Sequence, residues 1–225
     1  MVKRHLATTF PSKDKFLHYV DIHNKKYRGH SASLSDYLSL IRRYRATKEY
    51  VDLLSDSSHI GLVYKTLEEW NMNQRGAILF PLEKFKLSIM ENKGRIAQLS
   101  QYRLELLQWK DLIPSVFPEL KYLFANLNVM ASASKIVGVS KTLHFLLPDL
   151  VMPIDGKYTL AFFYDGRRYS HKMDKEFGYF KEIFEESLKL ARDLKLSVTD
   201  VDGIGWNTSV PKMIDNAIIA FAPEL

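Results

Sequence analysis

The sequence predicts a mainly α protein, a helical bundle folded as one domain or as two closely packed lobes, residues 1–110 and 111–225. Three observations predict it. Apolar residues recur every three to four positions from end to end of the chain. Period-two alternation, the mark of a half-buried strand, is scarce. Ten Gly and eight Pro in 225 residues are too few for a linker-rich chain or a many-turned β sandwich, and 46% hydrophobic residues suffice for a full core.

Taken in order, residues 1–30 are basic and hold four of the seven histidines. Asp21 and His23 stand two apart and so share no helix face, and no HExxH or comparable spacing occurs, so no metal site is expected and these histidines read as partly exposed. Asn24-Lys25-Lys26-Tyr27-Arg28 and Arg42-Arg43-Tyr44-Arg45 interleave charge with rings. Such mixtures suit phosphate contact with base stacking, and equally a solvated helix face with snorkelling stems.

Ser33 or Ser35 caps a helix with Leu34, Tyr37, Leu38, Ile41 and Tyr44 on one stripe. A second helix runs from Ser58 through Ile60, Val63, Leu67 and Trp70, and the polar run Asn71 to Gly76, with Arg75 in it, breaks it. Pro81 opens a helix carrying Leu82, Phe85 and Ile89, closed at Gly94. Ile96, Leu99, Tyr102, Leu106 and Trp109 mark a further amphipathic face, and Leu120, Leu123, Phe124 and Leu127 the next, entered through Pro118. Phe177, Phe180, Phe184, Leu188, Ala191 and Leu194 mark a long helix whose outer face is acidic. Asp165-Gly166-Arg167-Arg168 reads as a turn and residues 200–206 as a connector. Thr208 or Ser209 caps a final helix with Pro211 in its first turn and Ile214, Ala217, Ile218 and Phe221 inward.

Composition excludes several classes. Without cysteine there is no disulfide, Cys-zinc site, thiol catalysis or iron–sulfur cluster, and no cofactor is expected. No run approaches the roughly 18 apolar residues of a membrane span, and the opening MVKRHLATTFPSKDKF lacks the apolar stretch of a secretory signal, so a cytoplasmic protein is expected. The net charge of +6 is uneven, +5 over residues 1–60 and −3 over 171–225, which gives one surface suited to phosphate.

The most informative stretch is 132–163, SASKIVGVSKTLHFLLPDLVMPIDGKYTLAFF. Its residues predict two short helices around a tight turn at Gly138-Val139-Ser140, a hairpin near 131–147. Gly138 supplies positive φ, Ser140 caps the run beginning at Lys141, and Pro148 and Pro153 end the helix and leave Asp155 in a loop. This pattern, apolar–Gly–Val–small–Lys–Thr followed by Pro–apolar–Asp, resembles the core of the helix-hairpin-helix DNA glycosylases of the endonuclease III type over residues 131–160. Segments of uncharacterised prokaryotic proteins are similar too. The resemblance implies that Gly138, Val139 and Ser140 grip a DNA phosphate through backbone amides, that Asp155 stabilises positive charge on the sugar as the base leaves, and that Lys141 attacks the sugar. Ser140 stands where that family usually has a second glycine, and the step from hairpin to Asp155 is shorter than usual.

From the residues alone, Asp155 is either an N-cap of the next helix or a carboxylate facing a cleft, two compatible readings. Lys141 reads as a phosphate contact unless burial or a neighbouring cation depresses its pKa. His144 lies one turn after Lys141. Trp206 with Asn207 offers a stacking platform and an amide for an extruded base, or a packing Trp before a capped helix. The expected function is therefore a glycosylase-like base-excision enzyme on double-stranded DNA, with Asp155 and Lys141 catalytic. Its phosphate contacts are Gly138, Val139, Ser140, Lys157, Arg42, Arg43 and Arg75, and its base pocket is His144, Trp206 and Asn207. A non-enzymatic nucleic-acid-binding module and a helical interaction protein are the alternatives.

Overall fold

The computed structural model describes residues 4–27, 31–74, 76–164 and 172–224. The expected all-α class holds. Helices α1 (Lys13–Lys26), α2 (Ser31–Ala46), α3 (Ser57–Glu69), α4 (Leu82–Glu91), α5 (Lys93–Leu99), α6 (Phe117–Asn126), α7 (Ile136–Leu146), α8 (Thr159–Tyr164), α9 (Met173–Asp193) and α10 (Val210–Phe221) carry the described chain. Among the described residues the β content is one isolated bridge, Leu79 to Met130. No helix of these residues is long and apolar enough to cross a membrane.

One apolar cluster runs through the molecule, from Leu6 and Phe16 to Ile218 and Ala220. Helix α7 lies at its centre, touching α2, α3, α6 and α9, and α10 packs along α1. Burial explains the composition of α7. Apart from Val137 every residue of this helix is buried, so the sequence is apolar nearly all round rather than striped.

The hairpin is not formed. Gly138, Val139 and Ser140 lie inside α7, which runs unbroken from Ile136 to Leu146. Gly138 serves close packing instead of a turn, because a Cβ there would fall on Met130 Sδ. Pro148 does end the helix, at Leu147. The anion position at the start of α7 belongs to the chain itself: buried Glu176 of α9 accepts from Ser134 Oγ at 2.8 Å and from Lys135 N–H at 2.9 Å.

Other boundaries differ for local reasons. Helix α3 begins at Ser57, one residue before the expected Ser58, and Asp56 caps it, its carboxylate accepting from Ser58 N–H at 2.8 Å. Asn92 closes α4, and Gly94 falls inside α5. The face drawn through Ile96 to Trp109 is split among α5, a 3-10 turn (Leu104–Leu106) and a short turn (Trp109–Asp111), leaving Leu106 and Trp109 exposed. Residues 13–26, read only as a basic segment, form α1 with Ser12 as its cap. Ser209 caps α10 with Pro211 in the first turn, as the sequence predicts. The turn expected at 165–168 lies outside the described residues.

Candidate active site

Five segments meet around a cavity of about 320 Å³, within the roughly 300–1,000 Å³ typical of small-ligand sites. Helix α7 contributes Lys141, the loop after it Asp155 and Tyr158, the end of α3 Glu69 and Trp70, and α10 with its preceding connector Trp206, Lys212 and Asp215. His23 and Tyr27 of α1 complete the wall.

Local geometry sets the Lys141–Asp155 pair. Ser140 Oγ donates to Val137 O and accepts from Ile154 N–H, both at 3.0 Å. That bond ties the residue before Lys141 to the residue before Asp155, so the two functional side chains are brought together across 14 residues of chain. Asp155 Oδ1 accepts from Lys157 N–H at 2.8 Å and Tyr158 N–H at 3.1 Å, bracing the loop into α8. Its Oδ2 lies 3.6 Å from Lys141 Nζ. The capping and cleft-facing roles coexist, each oxygen taking one.

Lys141 is 5% exposed, and its ammonium donates to Trp70 O at 3.3 Å. Burial lowers its pKa, Asp155 and Asp215 oppose that, and Lys212 lowers it further. Lys212, 3% exposed, donates to Asp215 Oδ2 at 2.6 Å and to Asn216 Oδ1 at 2.8 Å. Its Nζ stands 5.4 Å from the Trp70 ring centre and 5.3 Å from that of Trp206, while Lys141 Nζ stands 5.6 Å from Trp70. Burial pushes the Asp215 carboxyl up, against the pull of Lys212.

The cavity is polar yet incompletely satisfied. Three buried side-chain polar atoms of its wall have no partner among the described residues, His23 Nδ1, Trp70 Nε1 and Asp215 Oδ1, while Glu69 is engaged with Asp36 and Lys65. Native proteins leave few such atoms, so their convergence on one cavity marks a place for a polar ligand. Burial, followed by Lys212 and Lys26, holds His23 neutral, its pKa lowered to about 2.

Of the residues expected from sequence, Lys141, Asp155 and Trp206 line this cavity. Gly138, Val139 and Ser140 are buried mid-helix and offer no surface to a phosphate. His144 belongs to the core: its Nδ1–H donates to Val151 O at 2.7 Å and its Nε2 accepts from Tyr37 OH at 2.9 Å, with burial lowering its pKa to about 3. Asn207 is buried, its Oδ1 accepting from Asn216 Nδ2 at 3.3 Å, and it does not line the cavity. Lys157 is exposed beside Asp155, 4.9 Å from the Tyr158 ring. Arg42 turns back on Leu38 O and Ser39 Oγ, and Arg43 pairs with Asp56 and Ser58; both are exposed and neither lines the cavity. Arg75 lies outside the described residues.

The sequence did not single out Lys212 or Asp215, and His23, read there as partly exposed, is buried at 4% exposure. Lys212 and Asp215 sit three apart on α10, a spacing that is legible, but ordinary for an exposed pair. With Asn216 they form one polar stripe of α10, and its burial, which spacing does not disclose, sets it apart. Among the described residues no group of three or more His, Asp or Glu is placed to hold a metal. No family model, curated protein or solved structure matches this chain.

Proposed function

We propose that the protein is a lysine-dependent N-glycosylase acting on a nucleotide turned out of double-stranded DNA, with Lys141 as nucleophile and Asp155 as the stabilising carboxylate. The observation that carries this is a buried amine of lowered pKa, 3.6 Å from a half-buried carboxylate, opening on an aromatic cavity of ligand size. The positive net charge suits a polyanionic substrate.

In its neutral form Lys141 attacks C1′ of the sugar. The glycosidic C–N bond breaks, and its electron pair leaves with the base, which takes up a proton. The C1′–O4′ bond then opens, O4′ gains a proton and the amine loses one, giving an iminium; a proton leaves C2′, the C2′=C3′ bond forms and the 3′-phosphate is expelled. Asp155 opposes the positive charge that develops at C1′ and O4′. Phosphate contacts come from exposed side chains such as Lys157 rather than from backbone amides of α7.

The test is a panel of duplexes, each with one modified base, assayed for base release and strand cleavage alongside a preformed abasic site. Cleavage at the abasic site by the wild type and its loss in Lys141→Ala support the assignment. An inert wild type across the panel and at the abasic site overturns it.

A further inference from the structure

The reading above says that a base enters the cavity; its polar wall says which chemical kind. Asp215 is 3% exposed and lines the cavity. Its Oδ2 is taken by Lys212, and its Oδ1 has no partner. A buried carboxylate oxygen held in this way accepts and cannot donate, so its complement is an N–H or O–H group. Lys212 donates to two oxygens, Asp215 Oδ2 and Asn216 Oδ1, which leaves its third proton on the side of the Trp70 and Trp206 rings. Trp70 Nε1–H is a second donor without an acceptor. At Asp215 the wall therefore offers an acceptor with donors close to it.

The same lysines decide the charge of the ligand. Aromatic cavities often take cationic ligands on ring faces. Here Trp70 carries the ammonium groups of Lys141 and Lys212, and Trp206 carries that of Lys212. The remaining face of Trp206 is stacked on buried Tyr37, with ring centres 5.5 Å apart and planes at 24°. Cations of the chain itself therefore already sit against both indole rings.

We infer that the cavity is a recognition site for an uncharged heterocycle presenting an N–H beside a carbonyl, a lactam edge, with Asp215 Oδ1 accepting the N–H as the specificity-determining contact. This rests on the glycosylase reading for the identity of the ligand as a base, and on the cavity alone for its hydrogen-bonding pattern. A base with a fixed positive charge through alkylation is disfavoured, because it would stand beside the buried Lys212 ammonium.

Two arms test it. The first needs no catalysis: Trp fluorescence of the wild-type protein is titrated with 2′-deoxyinosine, which is neutral and has a lactam edge, and with 1-methyladenosine, which is cationic at neutral pH. Binding of deoxyinosine with at least about tenfold preference is expected, the scale of one buried hydrogen bond made or left unmade. Equal or tighter binding of 1-methyladenosine, or binding of neither, overturns the inference. The second arm compares Asp215→Asn with wild type on a deoxyinosine duplex and on a preformed abasic duplex, which lacks a base to recognise. The variant is expected to lose about ten- to hundredfold more rate on the first than on the second. Equal losses on both overturn the role of Asp215. A wild type inert on both duplexes that still binds deoxyinosine selectively sinks the glycosylase reading and leaves the recognition site standing.

Discussion

Lys141 and Lys212 face one cavity from opposite walls, α7 and α10, and are almost equally buried, yet they are held differently. Lys212 is locked between Asp215 and Asn216 by two short bonds, 2.6 and 2.8 Å. Lys141 has one longer bond to a backbone carbonyl, 3.3 Å, and a carboxylate only at 3.6 Å. A buried ammonium with complete partners is a fixed part of the fold; one with loose partners is closer to giving up its proton. On the proposed function, the α10 wall holds and recognises and the α7 wall reacts.

The largest expected effect separates the two. Lys212→Met leaves Asp215 buried without its cation and should destabilise the fold by about 3–5 kcal/mol. Lys141→Met removes an ammonium that burial already disfavours, so its denaturant midpoint should match or exceed that of the wild type while strand cleavage disappears. Equal destabilisation by both changes would erase the distinction between the walls. Next, Asp155→Asn keeps an N-cap but removes the charge at the sugar, and single-turnover base release should slow by about 10²–10³-fold with DNA affinity retained.

Acid should weaken the frame around both walls. Burial lowers the pKa values of His23, His59 and His144 from 6.5 to about 2, 4 and 3, with cationic neighbours adding to the shift at each. Above pH 6.5 they are neutral whether folded or unfolded and contribute no pH dependence. As pH falls below 6.5 the unfolded chain takes up protons that the native state refuses. Stability then declines, by up to about 4 kcal/mol per pH unit near pH 5 from these three groups. Urea melts between pH 7 and 4.5 measure this, and His59→Leu should flatten the slope by about a third. A flat profile would mean that these rings are not held neutral.

Smaller effects concern what the sequence did and did not disclose. The helices were legible because their apolar residues keep helical spacing, and Asp155 because two prolines and a glycine isolate it in a loop. The role of Gly138 was not, since a glycine admitting positive φ and a glycine admitting a neighbour's sulfur look alike in sequence. Gly138→Ala tests this: overpacking against Met130 should outweigh the gain in helix propensity and leave a net loss of about 1 kcal/mol, whereas at a solvent-facing helical glycine the change would stabilise. Charge likewise pointed to two places and distinguished neither. Arg42 and Arg43 are exposed and bond within the chain, and Arg45 is held by Asp149, so Arg42→Ala with Arg43→Ala should shift stability by no more than about 0.5 kcal/mol. The cavity escaped notice because its second lysine and its free carboxylate oxygen lie on a helix whose remaining inward residues are ordinary core.

The central claim is that Lys141, and not Lys212, is the reactive amine. Incubating the protein with abasic duplex and sodium borohydride reduces any imine between lysine and sugar to a stable cross-link, which peptide mass spectrometry assigns to a residue. A cross-link is expected on the peptide containing Lys141, absent in Lys141→Met. A cross-link on Lys212, or none with the wild-type protein, would contradict it.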